Sequence, residues 1–153
     1  MIQESIQPKG VKRPKASSLA IKSGDSIFIS AQLPLDEKGN LISDQLEEQV
    51  NRCLYNISKI LEANDLNPSY VLTTKVYLVN LDQLDIVENR MANFFREPYP
   101  TRTVIGVSAL PKGALLQIEA YALDTRAIEV LLCREQECTS CGEAVCEIFQ
   151  NIH

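Results

Sequence analysis

The sequence predicts an α+β fold in which two helices pack on one face of a mixed β-sheet. Two observations carry this prediction: two segments place apolar residues at helical spacing, and several short segments are rich in β-branched residues or alternate apolar with polar residues. Along the chain the predicted order is β-β-α-β-α-β-β, which lets both helices lie together on one face of the sheet. With 153 residues, 45% of them hydrophobic, the chain is long enough for one domain with a real core.

The first two predicted strands form a hairpin. Segments 19–22 and 26–32 are rich in isoleucine and other strand-forming residues, and Gly24-Asp25 between them is a turn signal. Further along, residues 71–79 alternate in the manner of a strand that has one buried face. These segments predict three strands of the sheet.

The first helix has the clearest pattern in the sequence. Asp44 has Glu47 three residues after it, which is the spacing of a capping box, so Asp44 is the predicted N-cap. The apolar residues that follow share one helix face: Leu46, Val50, Cys53, Leu54, Ile57, Ile60 and Leu61. Because Cys53 lies on this face, we expect it to be a buried structural thiol. A second helix is predicted from near Asp82 to Pro98, and its inward residues are Leu84, Val87, Met91, Phe94 and Phe95.

A second hairpin is predicted near the end of the domain, and it carries the candidate site. An apolar run at 104–107 follows Arg102, a turn signal lies at 110–113, and a second apolar run from Leu115 leads into Gln117 and Glu119. Gln117 and Glu119 share a strand face, and a hairpin partner would bring Arg102 close to them. A guanidinium with amide and carboxylate groups beside it can grip a planar carboxylate through two hydrogen bonds. A purely structural Arg–Glu pair is the alternative interpretation.

The same stretch resembles the signature of a known family. The run Pro-Thr-Arg-Thr-Val-Ile-Gly-Val-Ser-Ala-Leu-Pro-Lys-Gly at 100–113, followed by Ile-Glu-Ala at 118–120, is similar to that of the Rid family of reactive imine deaminases, also called the YjgF or UK114 family. The segment Ser-Ala-Gln-Leu-Pro at 30–34 and Asn89 with two phenylalanines after it extend the resemblance over roughly residues 6–124. The resemblance implies the Rid fold, which is similar to that of chorismate mutase. It also implies a homotrimer whose ligand pockets lie between neighbouring subunits.

The resemblance further implies which residues form the site. Arg102 matches the arginine that holds the substrate carboxylate, and Gln117 stands where the family has the glutamate that positions the hydrolytic water. The family's tyrosine, glycine and cysteine are replaced here by Ser17, Ala31 and Val104. The candidate catalytic residues are therefore Arg102 and Gln117. The candidate substrate-binding residues are Arg102, Asn89, Ala31, Ser17 and Val104. We expect no cofactor.

The predicted function is hydrolysis of reactive 2-imino acids to a 2-keto acid and ammonia. Gln117 is expected to slow this reaction, because an amide can hold a water molecule but cannot accept its proton. A non-catalytic role in binding or sensing small carboxylates stays open. A role in acting on RNA or inhibiting translation is less favoured, because the net charge is −5 and the single histidine is His153.

The two ends of the chain lie outside the Rid-like domain, which we place at residues 19–125. Residues 1–18 are basic and are interrupted by Pro8, Gly10 and Pro14, so we expect an extended, solvated arm and not a targeting peptide. No apolar run approaches the roughly 20 residues needed to span a bilayer. We therefore expect a cytoplasmic protein whose cysteines are reduced.

The tail, residues 126–153, contains four of the five cysteines. Cys133, Cys138, Cys141 and Cys146 have the spacing C-x4-C-x2-C-x4-C, which can surround a zinc ion, and the first three also match a spacing found in iron–sulfur loops. The alternative is a flexible tail or one that packs as a short helix. Because only one C-x2-C step is present, we assign no metal ligands.

Overall fold

Six strands form one mixed sheet in the computed structural model, which describes residues 3–132. The strands are β1 (Gln3–Ile6), β2 (Ala20–Ser23), β3 (Ser26–Gln32), β4 (Val71–Leu78), β5 (Thr101–Gly106) and β6 (Leu116–Leu123). They lie in the order β1-β2-β3-β6-β4-β5. The β4–β5 pair is parallel and the other neighbouring pairs are antiparallel. The predicted α+β class with a mixed sheet is confirmed, while the homotrimer stays a prediction.

The N-terminal strands form an antiparallel meander. The predicted hairpin of β2 and β3 is confirmed, and Gly24 in its turn has a φ of 60°, a conformation that favours glycine. The preceding segment was expected to be a solvated arm. Instead β1 pairs with β2, and the side chains of Ile6 and Val11 are buried in the core. The cause is hydrophobic: Ile6 and Val11 remove apolar surface from water by returning to the sheet.

Two helices lie on the face of the sheet that carries the core: α1 (Leu46–Glu62) and α2 (Leu84–Phe94), the latter preceded by a 3₁₀ turn. Every residue of the predicted apolar stripe of α1 is buried. The predicted capping box is wrong, because the N-cap is Gln45 and it makes no side-chain capping bond. The Ser43 hydroxyl instead accepts the Gln45 N–H at 3.0 Å, and Glu47 forms an ion pair with Arg90 of α2.

The predicted hairpin between the strands of Arg102 and Gln117 is wrong. Strand β4 lies between β5 and β6 and pairs with both of them. The turn signal itself is real, because Lys112 and Gly113 have φ values of 63° and 72°. However, this turn leads the chain past β4 to its other side, where β6 fits between β3 and β4. β6, the last strand within residues 3–132, is thus an inner strand of the sheet.

A buried glutamine ties α1 to the start of β6. The side chain of Gln49 is fully buried, and its Nε2 donates to the Ser43 carbonyl at 2.7 Å. Its Oε1 accepts the backbone N–H of Leu115 at 2.8 Å. Both ends of the amide are therefore satisfied, as a buried polar group requires.

A second unit begins at Asp124, and the structure describes its residues 124–132. Residues 126–132 are helical, and Arg126 donates from Nε and Nη2 to the Asp124 carboxylate at 2.8 Å each. The four tail cysteines and the question of a metal site lie outside the described residues. Within residues 3–132, no helix combines the length and apolar character needed to cross a bilayer.

Candidate functional site

Arg102 lies near the start of the edge strand β5, on the sheet face that carries the helices. It is in register with Thr74 of β4, whose side chain is buried on that face. The Arg102 Nη2 forms an ion pair with Oε1 of Glu88 on α2. Arg102 and Glu88 line a cavity of about 500 Å³, and its other walls are uncharged: Met91, Ala92, Phe95, Tyr99 and Pro100.

The charged residue that α2 contributes to this cavity is Glu88, and sequence reasoning missed it. The predicted neighbour, Asn89, is exposed and is not among the residues that line the cavity. Successive residues of a helix point about 100° apart, so residues 88 and 89 cannot both face Arg102. The signal was present in the sequence, because residues 88, 91, 92 and 95 have the i, i+3, i+4, i+7 spacing of one helix face. Asn89 as a substrate-binding residue stays a prediction.

Gln117 lies on the opposite face of the sheet from Arg102. It is in register with Tyr77 of β4, which stands between the buried residues Val76 and Leu78. Because side chains alternate along a strand, Tyr77 and Gln117 point away from the helices. Gln117 is partly buried, and in the described part of the chain its side chain makes no hydrogen bond. One chain therefore does not bring Arg102 and Gln117 together.

Glu119 is held on the same open face as Gln117. Its Oε1 lies 3.3 Å from Nζ of Lys75, and its Oε2 accepts a 3.1 Å hydrogen bond from the Tyr77 hydroxyl. Partial desolvation and the bond to Glu119 raise the pKa of Tyr77. The Glu119 carboxylate, which was expected beside Arg102, thus contacts Lys75 and Tyr77 of β4 on the opposite face of the sheet.

Ser17 and Ala31 lie together in a second cavity, of about 170 Å³. Ala31 is in a β-bulge of β3, because Ile29 and Gln32 pair with Ala120 and Ile118 and leave one extra residue on β3. Bulges re-aim side chains and are common beside active sites. This cavity does not include Arg102.

Val104 follows Arg102 by two residues on β5 and packs, partly buried, against the core. It therefore shares the sheet face of Arg102, although it does not line the 500 Å³ cavity. Among residues 3–132, no three His, Cys, Asp or Glu side chains converge to hold a metal ion.

Comparison with known proteins identifies the family. The family model described as Endoribonuclease L-PSP matches residues 12–124. A RutC family protein of Pyrococcus horikoshii is 37% identical over 106 residues, which cover 69% of this chain and 84% of that protein. The chain belongs to the Rid family. The human 2-iminobutanoate/2-iminopropanoate deaminase is 32% identical over 107 residues, covering 69% of this chain and 78% of that protein.

A solved Rid structure has the same fold. The Rid family protein YyfA from Yersinia pestis, described as of unknown function, superimposes with a TM-score of 0.77 at 28% identity, covering 80% of this chain and 99% of that one. The Rid family match ends at residue 124, so the cysteine-containing tail lies beyond it. The resemblance drawn from the signature at 100–120 is thereby confirmed. Within this Rid family chain, the candidate residues fall into four places: the edge strand β5, the cavity beside the bulge of β3, the open face of β6, and the exposed position of Asn89 on α2.

Proposed function

We propose that this Rid family protein hydrolyses 2-imino acids to 2-keto acids and ammonia. The observation that carries the proposal is Arg102, which lines a cavity of about 500 Å³ in a family where relatives are named imine deaminases. Water adds to the imine carbon, the carbon–nitrogen bond breaks, and nitrogen leaves as ammonia with the protons of that water. Carbon and nitrogen keep their oxidation states, so the reaction needs neither oxidant nor reductant.

Arg102 is the proposed carboxylate-binding residue and Gln117 the residue that holds the water. Imines hydrolyse unaided in water, so orienting the substrate and one water molecule accounts for much of the required catalysis. An amide holds water by hydrogen bonds but cannot take its proton. Loss of a general base typically costs about 10²–10⁴-fold in rate, so we expect slow turnover.

We further propose that the complete site forms between subunits of a homotrimer. Arg102 and Gln117 point to opposite faces of the sheet, so a site that uses both needs a second copy of the chain. Two surfaces support this proposal. β5 is a terminal strand of the sheet, and the open face exposes large apolar side chains such as Phe28, which is 55% exposed.

Analytical ultracentrifugation tests the assembly. At micromolar concentration, sedimentation should give three times the chain mass of 17.1 kDa. A monomer at that concentration would contradict the inter-subunit site, because one chain does not bring the two residues together.

The activity is tested by competition with semicarbazide for a freshly generated imine. An amino acid oxidase produces 2-iminobutanoate or 2-iminopropanoate, and semicarbazide traps whatever imine remains. Addition of the protein should lower the yield of semicarbazone in proportion to its concentration. An unchanged yield, together with measurable binding of a 2-keto acid, would support instead a non-catalytic carboxylate-binding role, which the replacement of the family glutamate by Gln117 favours.

The domain limits and the location are also proposals. We propose that the Rid-like domain ends near residue 125, that the tail 126–153 follows it, and that the protein is cytoplasmic. The predicted start at residue 19 is too late, because β1 pairs with β2 and the side chains of Ile6 and Val11 are buried in the core of this domain. Limited proteolysis followed by mass spectrometry tests the limits. Cleavage within residues 19–125 before cleavage in the tail would contradict them.

A further inference from the structure

Arg102 shares its cavity with a carboxylate of the same chain. Glu88 reaches it from α2, and the two side chains are 39% and 34% exposed for Glu88 and Arg102, so solvent and small ligands can reach both. The other lining residues are uncharged. The cavity thus presents one positive and one negative group side by side on an otherwise neutral wall.

The ion pair leaves most of the guanidinium available. Within the described residues, Arg102 makes one side-chain hydrogen bond, from Nη2 to Glu88 Oε1. A guanidinium has five N–H donors in a fixed fork, so a ligand carboxylate can bind to the remaining donors. Such a carboxylate would then lie close to the carboxylate of Glu88.

The charges of the ligand decide whether this arrangement helps or hinders binding. A protonated 2-imino acid carries a carboxylate and, on the adjacent carbon, a positively charged nitrogen. Its carboxylate can bind Arg102 while its N–H groups donate to Glu88. A 2-keto acid has the same carboxylate but no donor on the adjacent carbon, so Glu88 opposes it by like-charge repulsion.

We propose that Glu88 is a specificity-determining residue that favours ligands with a positively charged nitrogen beside the carboxylate over 2-keto acids. This inference rests on the proposed function, because it assumes that Arg102 binds the ligand carboxylate. It extends that function by assigning the nitrogen end of the substrate to a residue of α2. It also implies that the 2-keto acid product binds more weakly than the substrate and leaves the site readily.

The test uses two stable ligands with the same carbon skeleton, 2-aminobutanoate and 2-oxobutanoate. Both are titrated by calorimetry into the wild-type protein and into Glu88→Gln, a change that removes the charge at nearly constant volume. We expect Glu88→Gln to weaken binding of 2-aminobutanoate by about tenfold and to strengthen binding of 2-oxobutanoate, because one charge-assisted contact is lost and one repulsion is relieved.

Glu47→Gln is the matched control. Glu47 is also a helix glutamate in an exposed ion pair, with Arg90, and it is absent from the lining of the Arg102 cavity. This variant has the same net charge as Glu88→Gln, so it should leave both affinities at the wild-type value. A similar shift in both variants would assign the effect to net charge and overturn the proposal.

The remaining outcomes separate this inference from the proposed function. If Glu88→Gln strengthens binding of both ligands, Glu88 is only an internal competitor for Arg102, and the inference fails while carboxylate binding stands. If it changes neither affinity, the inference fails in the same way. If neither ligand binds the wild type or the variant, the carboxylate site fails and the inference fails with it.

Discussion

Replacing Arg102 by alanine should weaken binding of 2-oxobutanoate by at least about tenfold and leave the fold intact. A charge-assisted contact is worth about 1.5–3 kcal/mol, which corresponds to about 10–150-fold in the dissociation constant. The Arg102 side chain is 34% exposed, so solvent screening favours the lower end of this range. The ion pair with Glu88 is similarly exposed, and such pairs contribute about 1 kcal/mol or less to stability.

Calorimetric titration measures this change, and Arg90→Ala provides the control. Arg90 is an arginine of α2 in an ion pair with Glu47, and it lines a different cavity, with Tyr55. Its replacement removes the same charge and a comparable ion pair, so the affinity for 2-oxobutanoate should not change. Unchanged affinity in Arg102→Ala, with a wild-type melting curve, would refute the reasoning and leave Arg102 as a structural partner of Glu88.

Three further predictions concern the water-holding position and the core. Gln117→Glu should raise the rate of imine hydrolysis by up to about 10²–10⁴-fold, and a wild-type rate in the semicarbazide assay would count against a water-positioning role. Gln49→Leu should lower the free energy of unfolding in urea by about 2–4 kcal/mol, because Ser43 and Leu115 lose buried hydrogen-bond partners; a loss below about 1 kcal/mol would contradict this. Burial raises the pKa of the Cys53 thiol, so iodoacetamide at pH 8 should label Cys53 only after unfolding, as mass spectrometry can show. Above about pH 8.5 the unfolded chain alone releases this proton, and the free energy of unfolding should therefore fall with rising pH.

Local sequence patterns predicted helix α1 and the hairpin of β2 and β3 well, because residues close together in the chain determine both elements. The apolar stripe of α1 follows from burying one helix face, and the hairpin of β2 and β3 follows from a glycine-containing turn between two short strands. The capping box at Asp44 failed although its spacing was right. A cap depends on the backbone angles at one residue. Here the Ser43 hydroxyl accepts the Gln45 N–H, and Arg90 forms an ion pair with the Glu47 carboxylate.

The pairing of distant strands could not be predicted from spacing. A turn between Arg102 and Gln117 suggested adjacent strands, but β4 pairs with both of them and separates them. The error matters for the site, since it predicted a contact between Arg102 and Glu119, whereas the observed contact of Arg102 is with Glu88. The family signature identified the family correctly, because it depends on residue identities and not on which strands are neighbours.

The inner position of β6 has a consequence for how the chain is made on the ribosome. β3 and β4 both pair with β6, and Ser26 pairs with Leu123, far along the chain. Until residues 116–123 emerge, the nascent chain has two incomplete groups of strands, each with an exposed edge that can associate with other chains. Joining distant segments in this way also slows folding. β6 therefore joins two groups of strands that the ribosome completes before it.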